Sequence, residues 1–346
     1  LKGLGFSQID VTGCPSLALN GPGLPLREKQ PLTPESKLCF TGSVSNPPDF
    51  KKFAVRCTER FPNTYFVPQF IDDLRLMYLG IPHPDTADSR VLHPTNLDHP
   101  VFVEDKARFF INLPSMFAFN REMDFNYGTR IHGAIGNILC GVPSLLFPTD
   151  ARIRELAEYH NIPAIPASAV TPDTDLAALY DQTDFRQVNN GHAERFWHLI
   201  DFLNENGIKT IYDDRTGTPA RSLYDEKTAA TSYAQPVHSM LVRPPEEIAR
   251  RVDTAVRLQR KEIEDDSRLA TQLRDSQRKV TQLQERNKKQ AAQIQALKEE
   301  RKALKTELKA TKKPLRRLAW YQRTSTFGIG LARLKKKLRR LLGKEK

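Results

Sequence analysis

"MDFNYGTRIHGAIGNILCGVPSLLFPTDARIRELAEYHNIPAIPA", residues 123–167, changes its hydrophobic period from segment to segment. "MDFNYG" has the pattern of a short strand. "RIHGAIGNILCG" spaces its apolar and small residues as a helix does. "VPSLLFP" is an unbroken apolar run, the pattern of a strand buried on both faces. "DARIRELAEYHN" is an amphipathic helix, and "IPAIPA" closes the stretch as a further strand. Strands alternating with helices at this spacing predict βαβ units, and therefore a parallel sheet covered by helices on both faces.

The same alternation extends outward from about residue 37 to 214. "KLCFTGS" and "TYFVPQ" are strand-like, and "DFKKFAVRCTERF" and "FIDDLRLMYLG" have helical spacing. "DKARFFINLPSMFAF" is helical with a break expected at Pro114, and "AERFWHLIDFLNENG" closes the series as an amphipathic helix. Upstream, "FSQIDVTGCPSLALNG" predicts a short strand at Ile9 and Val11, then a Gly-Cys-Pro-Ser turn. Residues 21–37 carry Pro22, Pro25, Pro31 and Pro34 among polar residues, the composition of an interdomain linker. Residues 213–245 lose periodicity and read as a second linker.

Beyond the linker, Leu273, Val280, Leu283, Ile294, Leu297, Leu304 and Leu308 recur at alternating three- and four-residue steps. With Val280 at heptad position a, Asn287 also falls at a, where a single Asn fixes the register of two strands at some cost in stability. The seam predicts a coiled-coil homodimer over residues 246–311. Pro314 is expected to interrupt the helix. Residues 312–346 then hold 13 Lys and Arg against Glu345 alone, which equals the net +12 of the entire chain. The remainder is neutral overall, so the basic character belongs to the tail. There Leu331, Leu334, Leu338, Leu341 and Leu342 make a helical stripe among the cations, with Trp320, Tyr321 and Phe327 as interfacial anchors. A basic amphipathic helix of this kind suits an anionic membrane surface better than nucleic acid or a calmodulin-like partner.

Other classes are disfavoured. No apolar run approaches the roughly 20 residues of a membrane span, and nothing resembles a signal peptide. The chain opens on Leu1 and reads as a fragment or processed form. Cys14, Cys39, Cys57 and Cys140 lie far apart with no CxxC pair, the pattern of reduced, buried cytosolic thiols. His93 and His99 have no helix or strand to aim them at a shared metal, so neither a metal nor a cofactor is expected.

The junction "MDFNYGTRIHG" has the residues of an anion site. Strand Met123–Asn126 would deliver Gly128, where a tight turn or close ligand approach is allowed. Thr129 would cap the helix, whose N-terminus offers free N–H groups. Arg130 adds a bidentate fork suited to carboxylate or phosphate, and His132 a proton carrier near neutral pH. Gly133, Ala134 and Gly136 keep the helix slim. Read from the residues alone, a structural His and a surface Arg stand at even odds with this.

The stretch from Gly128 to Pro163 also resembles the polysaccharide pyruvyl transferase family. Its signature runs G-x-R-[LI]-H-[GA], a small-residue helix, G-[VI]-P, an apolar strand and D-x-[KR]-[VI]-R, ending in an [LI]-P step. Gly128, Arg130, His132, Gly133, Gly141, Val142, Pro143, Asp150, Arg152, Arg154 and Pro163 match it in order and spacing. "IDVTGCPSLALN" resembles the segment that closes the family's first lobe. The resemblance covers roughly residues 8–205. It implies a Rossmann-like α/β lobe, the second lobe of a GT-B-like enzyme, over residues 31–212, with residues 1–30 the end of a truncated first lobe. It implies transfer of pyruvate from phosphoenolpyruvate to two hydroxyls of a cell-envelope or exported glycan as a ketal, with a lipid-linked glycan as one form of the acceptor. His132 would be the acid/base, with Arg130 and Arg152 as anion ligands. Arg154 would be a further ligand or simply the partner of Glu155 or Glu158. The expected location is the cytoplasmic face of a membrane. A GT-B glycosyltransferase using a nucleotide sugar and a non-catalytic membrane-associated scaffold are the competing readings.

Overall fold

The computed structural model describes residues 2–83, 94–213, 215, 223–324 and 326–341. Of the residues named above, Leu1, His93, Leu342 and Glu345 lie outside this set, as do the side chains of Pro314, Tyr321, Phe327 and Leu341. The chain divides into two compact units, Leu1–Gln259 and Arg260–Lys346.

The first unit is built on a four-stranded parallel sheet, β1 (Leu38–Thr41), β2 (Thr64–Phe66), β3 (Phe125–Gly128) and β4 (Ser144–Leu146), in the order β2-β1-β3-β4. Leu38 pairs with Thr64 on one side and Phe125 on the other, and Tyr127 pairs with Leu145. All residues of β1, β3 and β4 are buried, the polar Thr41, Asn126 and Ser144 among them.

Helices α1 (Pro48–Arg60), α2 (Ile71–Leu79), α3 (Pro100–Val103) and α4 (Leu113–Asn120) precede β3; α5 (Ile131–Leu139) and α6 (Ala151–Tyr159) follow it, and α7 (Leu176–Gln182) and α8 (His192–Glu205) complete this series. One core cluster joins Phe50 and Phe53 of α1 to Phe40, Tyr127 and Phe147. Phe40 and Tyr127 lie 5.1 Å apart by ring centroids, as do Phe50 and Phe147. A second cluster packs Ile131, Ile135 and Ile138 of α5 with Ile153 of α6, Leu146 and Leu17. The parallel sheet with helices packed against it, predicted from the sequence, is what forms.

Several local elements differ from their prediction, each for an identifiable reason. β3 begins two residues later than the pattern suggested, at Phe125. "IPAIPA" contributes a single bridge, Leu146 to Ala164, because Pro163 and Pro166 have no N–H to extend a ladder. Pro114 starts a helix instead of breaking one: Asn112 caps α4 by accepting from Ser115 N at 2.9 Å, and a proline in the first turn sacrifices no helical bond. Residues before it bridge Phe66 to Ala107 and Phe109 to Val237. No strand forms at Ile9 and Val11; this segment is extended and is followed by the 3-10 helix Pro15–Asn20.

Both proline-rich or polar connectors are fastened down. Arg27 donates through Nη2 to Met123 O at 2.5 Å, and Lys29 Nζ donates to the carbonyls of Tyr180, Asp181 and Thr183. His238 Nδ1 lies 2.9 Å from Asp105 Oδ1, and Ser239 and Met240 are buried. Composition alone does not reveal such bonds, because their partners are distant in sequence.

A short helix, α9 (Leu223–Thr228), is followed by α10 (Pro245–Thr324), 80 residues long, and α11 (Thr326–Leu341). The predicted interruption at Pro314 is absent, since α10 runs through it. A proline removes one backbone bond, and in an exposed helix water can serve the released carbonyl. In the second unit Leu273, Val280, Leu283, Ile294, Leu297, Leu304 and Leu308 are all exposed along α10. No helix among the described residues is long and apolar enough to cross a membrane.

Candidate active site

The site forms where β3 gives way to α5. Gly128 has φ of 154°, and a Cβ there would lie 2.6 Å from the Thr41 carbonyl carbon. A Cβ at Gly133 would likewise lie 2.6 Å from Thr41 Cγ2. These glycines allow β3 and α5 to approach the end of β1, and Thr41 takes the space that a side chain would need at either position. Thr129 does not cap α5. It is buried, donates its N–H to Thr41 O at 2.9 Å, and donates its hydroxyl to Asn46 Oδ1 at 2.8 Å. Arg130 is the N-cap, and no side chain caps the first turn. Helix N–H groups at this end carry partial positive charge.

Arg130 is half-buried, with its guanidinium carbon 3.6 Å from the centroid of the Phe70 ring. Its Nε and Nη2 are buried without a hydrogen-bond partner. Burial pulls this guanidinium below its usual pKa, and Asp73 opposes that shift. Asp73 is itself buried at the start of α2, where it accepts from Phe70 N at 3.2 Å. Burial pushes its carboxyl up to about 6, against the opposing pull of the Phe70 N–H, His83 and Arg130.

His132 is exposed in the first turn of α5. Its Nε2 lies 3.9 Å from the Sγ of Cys14, which arrives from the far end of the sequence. Cys14 is half-buried, unlike the other three cysteines, so the expectation of four buried thiols fails at this position. The Cys14 N–H donates to His160 Nε2 at 2.8 Å. His160 is buried at the end of α6, and burial, aided by Arg195 and His192, pushes its pKa down to about 4. It therefore serves as a neutral acceptor. His132 holds the Cys14 thiol down to about 7, with burial opposing and Ser16 assisting. Cys14 raises the pKa of His132 in turn, while burial, Arg152 and Arg130 lower it.

Arg152 is exposed on the first turn of α6, near enough to act on His132. Arg154 points to its own helix face, with Nε 3.9 Å from Glu158 Oε1, an exposed i,i+4 pair. The fold thus brings Arg130 and Arg152 within electrostatic reach of His132, while Arg154 pairs with Glu158. Sequence reasoning missed Cys14, Asp73, Phe70 and His160. The Gly-Cys-Pro-Ser turn was visible, but nothing in its local pattern announces a histidine 118 residues away. Beside His132 opens a cleft of about 730 Å³ walled by Val67, Leu113, Phe117, Leu139 and Leu203. No group of three or more His, Cys, Asp or Glu side chains among the described residues is placed to hold a metal ion.

No protein-family model matches the chain, and no curated protein matches it. Among solved structures, similarity is found to the glycotransferase of kitacinnamycin, with 20% identity over 52% of this chain and 42% of that one, at a TM-score of 0.28. Similarity is also found to the glycosyltransferase SnogD from Streptomyces nogalater, with 16% identity over 50% of this chain and 45% of that one, at a TM-score of 0.22. The chain spans less than half the length of either protein.

Proposed function

We propose that the first unit is the lobe of a glycan-modifying transferase that moves pyruvate from phosphoenolpyruvate to sugar hydroxyls as a ketal. The observation carrying this reading is the Arg130 guanidinium: two of its nitrogens are buried and unpartnered, two residues from His132 at a strand-to-helix junction. A buried guanidinium N–H without an acceptor is costly, and an anionic ligand removes that cost. Phosphoenolpyruvate presents both a phosphate and a carboxylate. Arg130 takes one of them with its fork, Arg152 adds a second cation, and the α5 N-terminus adds N–H donors.

The transfer needs a proton delivered to C3 of the enol ether, which makes C2 electrophilic. A first sugar hydroxyl then loses its proton as its oxygen bonds to C2; the C2–O bond to phosphate breaks as a second hydroxyl closes the ketal, and the proton of that hydroxyl leaves with the phosphate. His132 is suited to these proton transfers, being exposed beside the anion site with its pKa raised by Cys14. The acceptor is a glycan of the cell envelope or an exported polysaccharide. In the second unit, α10 pairs with the α10 of a second copy, and the basic tail binds anionic membrane, where a lipid-linked acceptor is presented. Sedimentation of the full chain with anionic but not neutral vesicles is expected; equal binding to both, or preference for duplex DNA, overturns the tail's role.

Calorimetry of the full chain with phosphoenolpyruvate and with a panel of nucleotide sugars tests the donor. Binding of phosphoenolpyruvate that weakens in Arg130→Lys is the expected result. Binding of a nucleotide sugar instead makes the protein a glycosyltransferase, and binding of neither makes it a scaffold.

A further inference from the structure

We propose that Cys14 belongs to the active site, and that its thiolate and the His132 imidazolium form one ionic pair which carries the site's exchangeable proton. The step is an internal transfer: the Cys14 S–H bond breaks as the His132 Nε2–H bond forms, and the net charge of the pair is unchanged. Three observations place the two groups together. Sγ and Nε2 lie 3.9 Å apart, Cys14 is the half-buried exception among the cysteines, and its backbone is fixed by the 2.8 Å bond from its N–H to His160. Tyr159 secures the same segment by donating its hydroxyl to Val11 O at 3.0 Å. Gly13, with φ of 68°, lets the chain pass so close to α6 that a Cβ would lie 2.5 Å from His160 Nε2. The thiol is therefore delivered to His132 by a built arrangement.

The charges around the pair explain why the thiolate is needed. Arg130 faces His132 from its own helix and Arg152 from α6, and both disfavour a second cation. The α5 N-terminus does the same. Behind Arg130 stands Asp73. On the α6 side are neutral His160 and Tyr159, with Arg195 of α8 over the Tyr159 ring, and Asp10 is engaged by His198. Among these groups Cys14 is the one that raises the pKa of His132. His132 above all, with Ser16 assisting, favours the thiolate. If the donor reading above holds, Cys14 keeps His132 protonated for delivery to C3, and the attacking hydroxyl returns the proton to Nε2. Cys14 is then a positioning residue acting through His132.

The pair exists without any substrate, so its test uses none. The rate of Cys14 alkylation by iodoacetamide is followed against pH in the full chain by peptide mass spectrometry, which separates it from buried Cys39, Cys57 and Cys140. The expected midpoint is about 7 in the unaltered protein. In His132→Gln it rises by about one unit or more, toward the ordinary thiol value of about 8.5. Coupling between titrating sites is reciprocal. The His132 ring, followed by NMR, therefore shows its midpoint fall by a comparable amount in Cys14→Ser. A Cys14 midpoint near 8.5 in the unaltered protein, or one that His132→Gln does not move, overturns the pair. Either result stands whether or not phosphoenolpyruvate proves to be the donor.

Discussion

The guanidinium carbon of Arg130 lies over the ring of Phe70, 3.6 Å from its centroid, and this contact ties the start of α5 to the start of α2. A guanidinium over an aromatic face contributes about 0.5–2 kcal/mol. It also holds the planar fork in one orientation before any ligand arrives. Phe70→Leu is therefore expected to weaken phosphoenolpyruvate binding roughly 2- to 30-fold by calorimetry. Arg130→Lys is expected to weaken it at least as much, because a lysine has no bidentate fork. Unchanged affinity in both variants would remove Arg130 from the donor site.

His132→Ala is expected to lower the transfer rate about 10²- to 10⁴-fold, the usual contribution of a general acid or base. Because the side chain is exposed, the melting temperature should hardly move. Transfer assays beside thermal melts separate the two effects, and a fully active variant would assign the proton transfers elsewhere.

Asp73 gives a pH signature of definite sign. Burial raises its carboxyl from the ordinary value of 3.8 to about 6, so between those limits the folded state holds a proton that the unfolded state has released. The contribution of this group to stability is complete below about 3.8 and is lost as pH rises through about 6. Urea unfolding from pH 4 to 7 should show that decline relative to Asp73→Asn, which carries no titrating group. Parallel curves for the two proteins would contradict it.

Gly13→Ala tests the delivery of Cys14. At φ of 68° a side chain is strained, by about 1–2 kcal/mol, and the added methyl also meets Tyr159 and His160. Lower stability in urea is expected, together with a Cys14 alkylation midpoint moved up because the thiol leaves His132. A variant with unaltered stability and midpoint would show that the segment can shift freely.

On α10, Asn287→Leu is expected to raise the melting temperature and broaden the range of oligomers, since the polar a position selects a two-stranded register. Sedimentation of the full chain decides this, and a monomer at high concentration would show that the seam is merely solvated.

The sequence by itself determined the parallel α/β architecture and the long helix that follows it. Hydrophobic periodicity is a local property: the apolar run around β4 is satisfied by burial on both faces, and the period of α5 and α6 by packing one face on a sheet. The alignment of Gly128, Arg130 and His132 at a strand end was legible for the same reason, since it depends on neighbours a few residues apart. Local pattern misjudged the prolines. Pro114 opens a helix where the sequence suggested a break, and α10 continues through Pro314; the outcome turned on whether the missing N–H was needed there.

Tertiary structure alone decided which residues complete the site. Cys14 and His132 are 118 positions apart, and Asp73 and Phe70 reach Arg130 from another helix, so no spacing rule connects them. It also set Thr41 beside Gly128 and Gly133 and gave the Thr129 hydroxyl to Asn46, which holds these residues against the end of β1. The physical reason is common to both results. Burial, distance and the charge of neighbours set the pKa of a thiol or imidazole and the partners of a guanidinium, and these are fixed only once the chain has closed on itself.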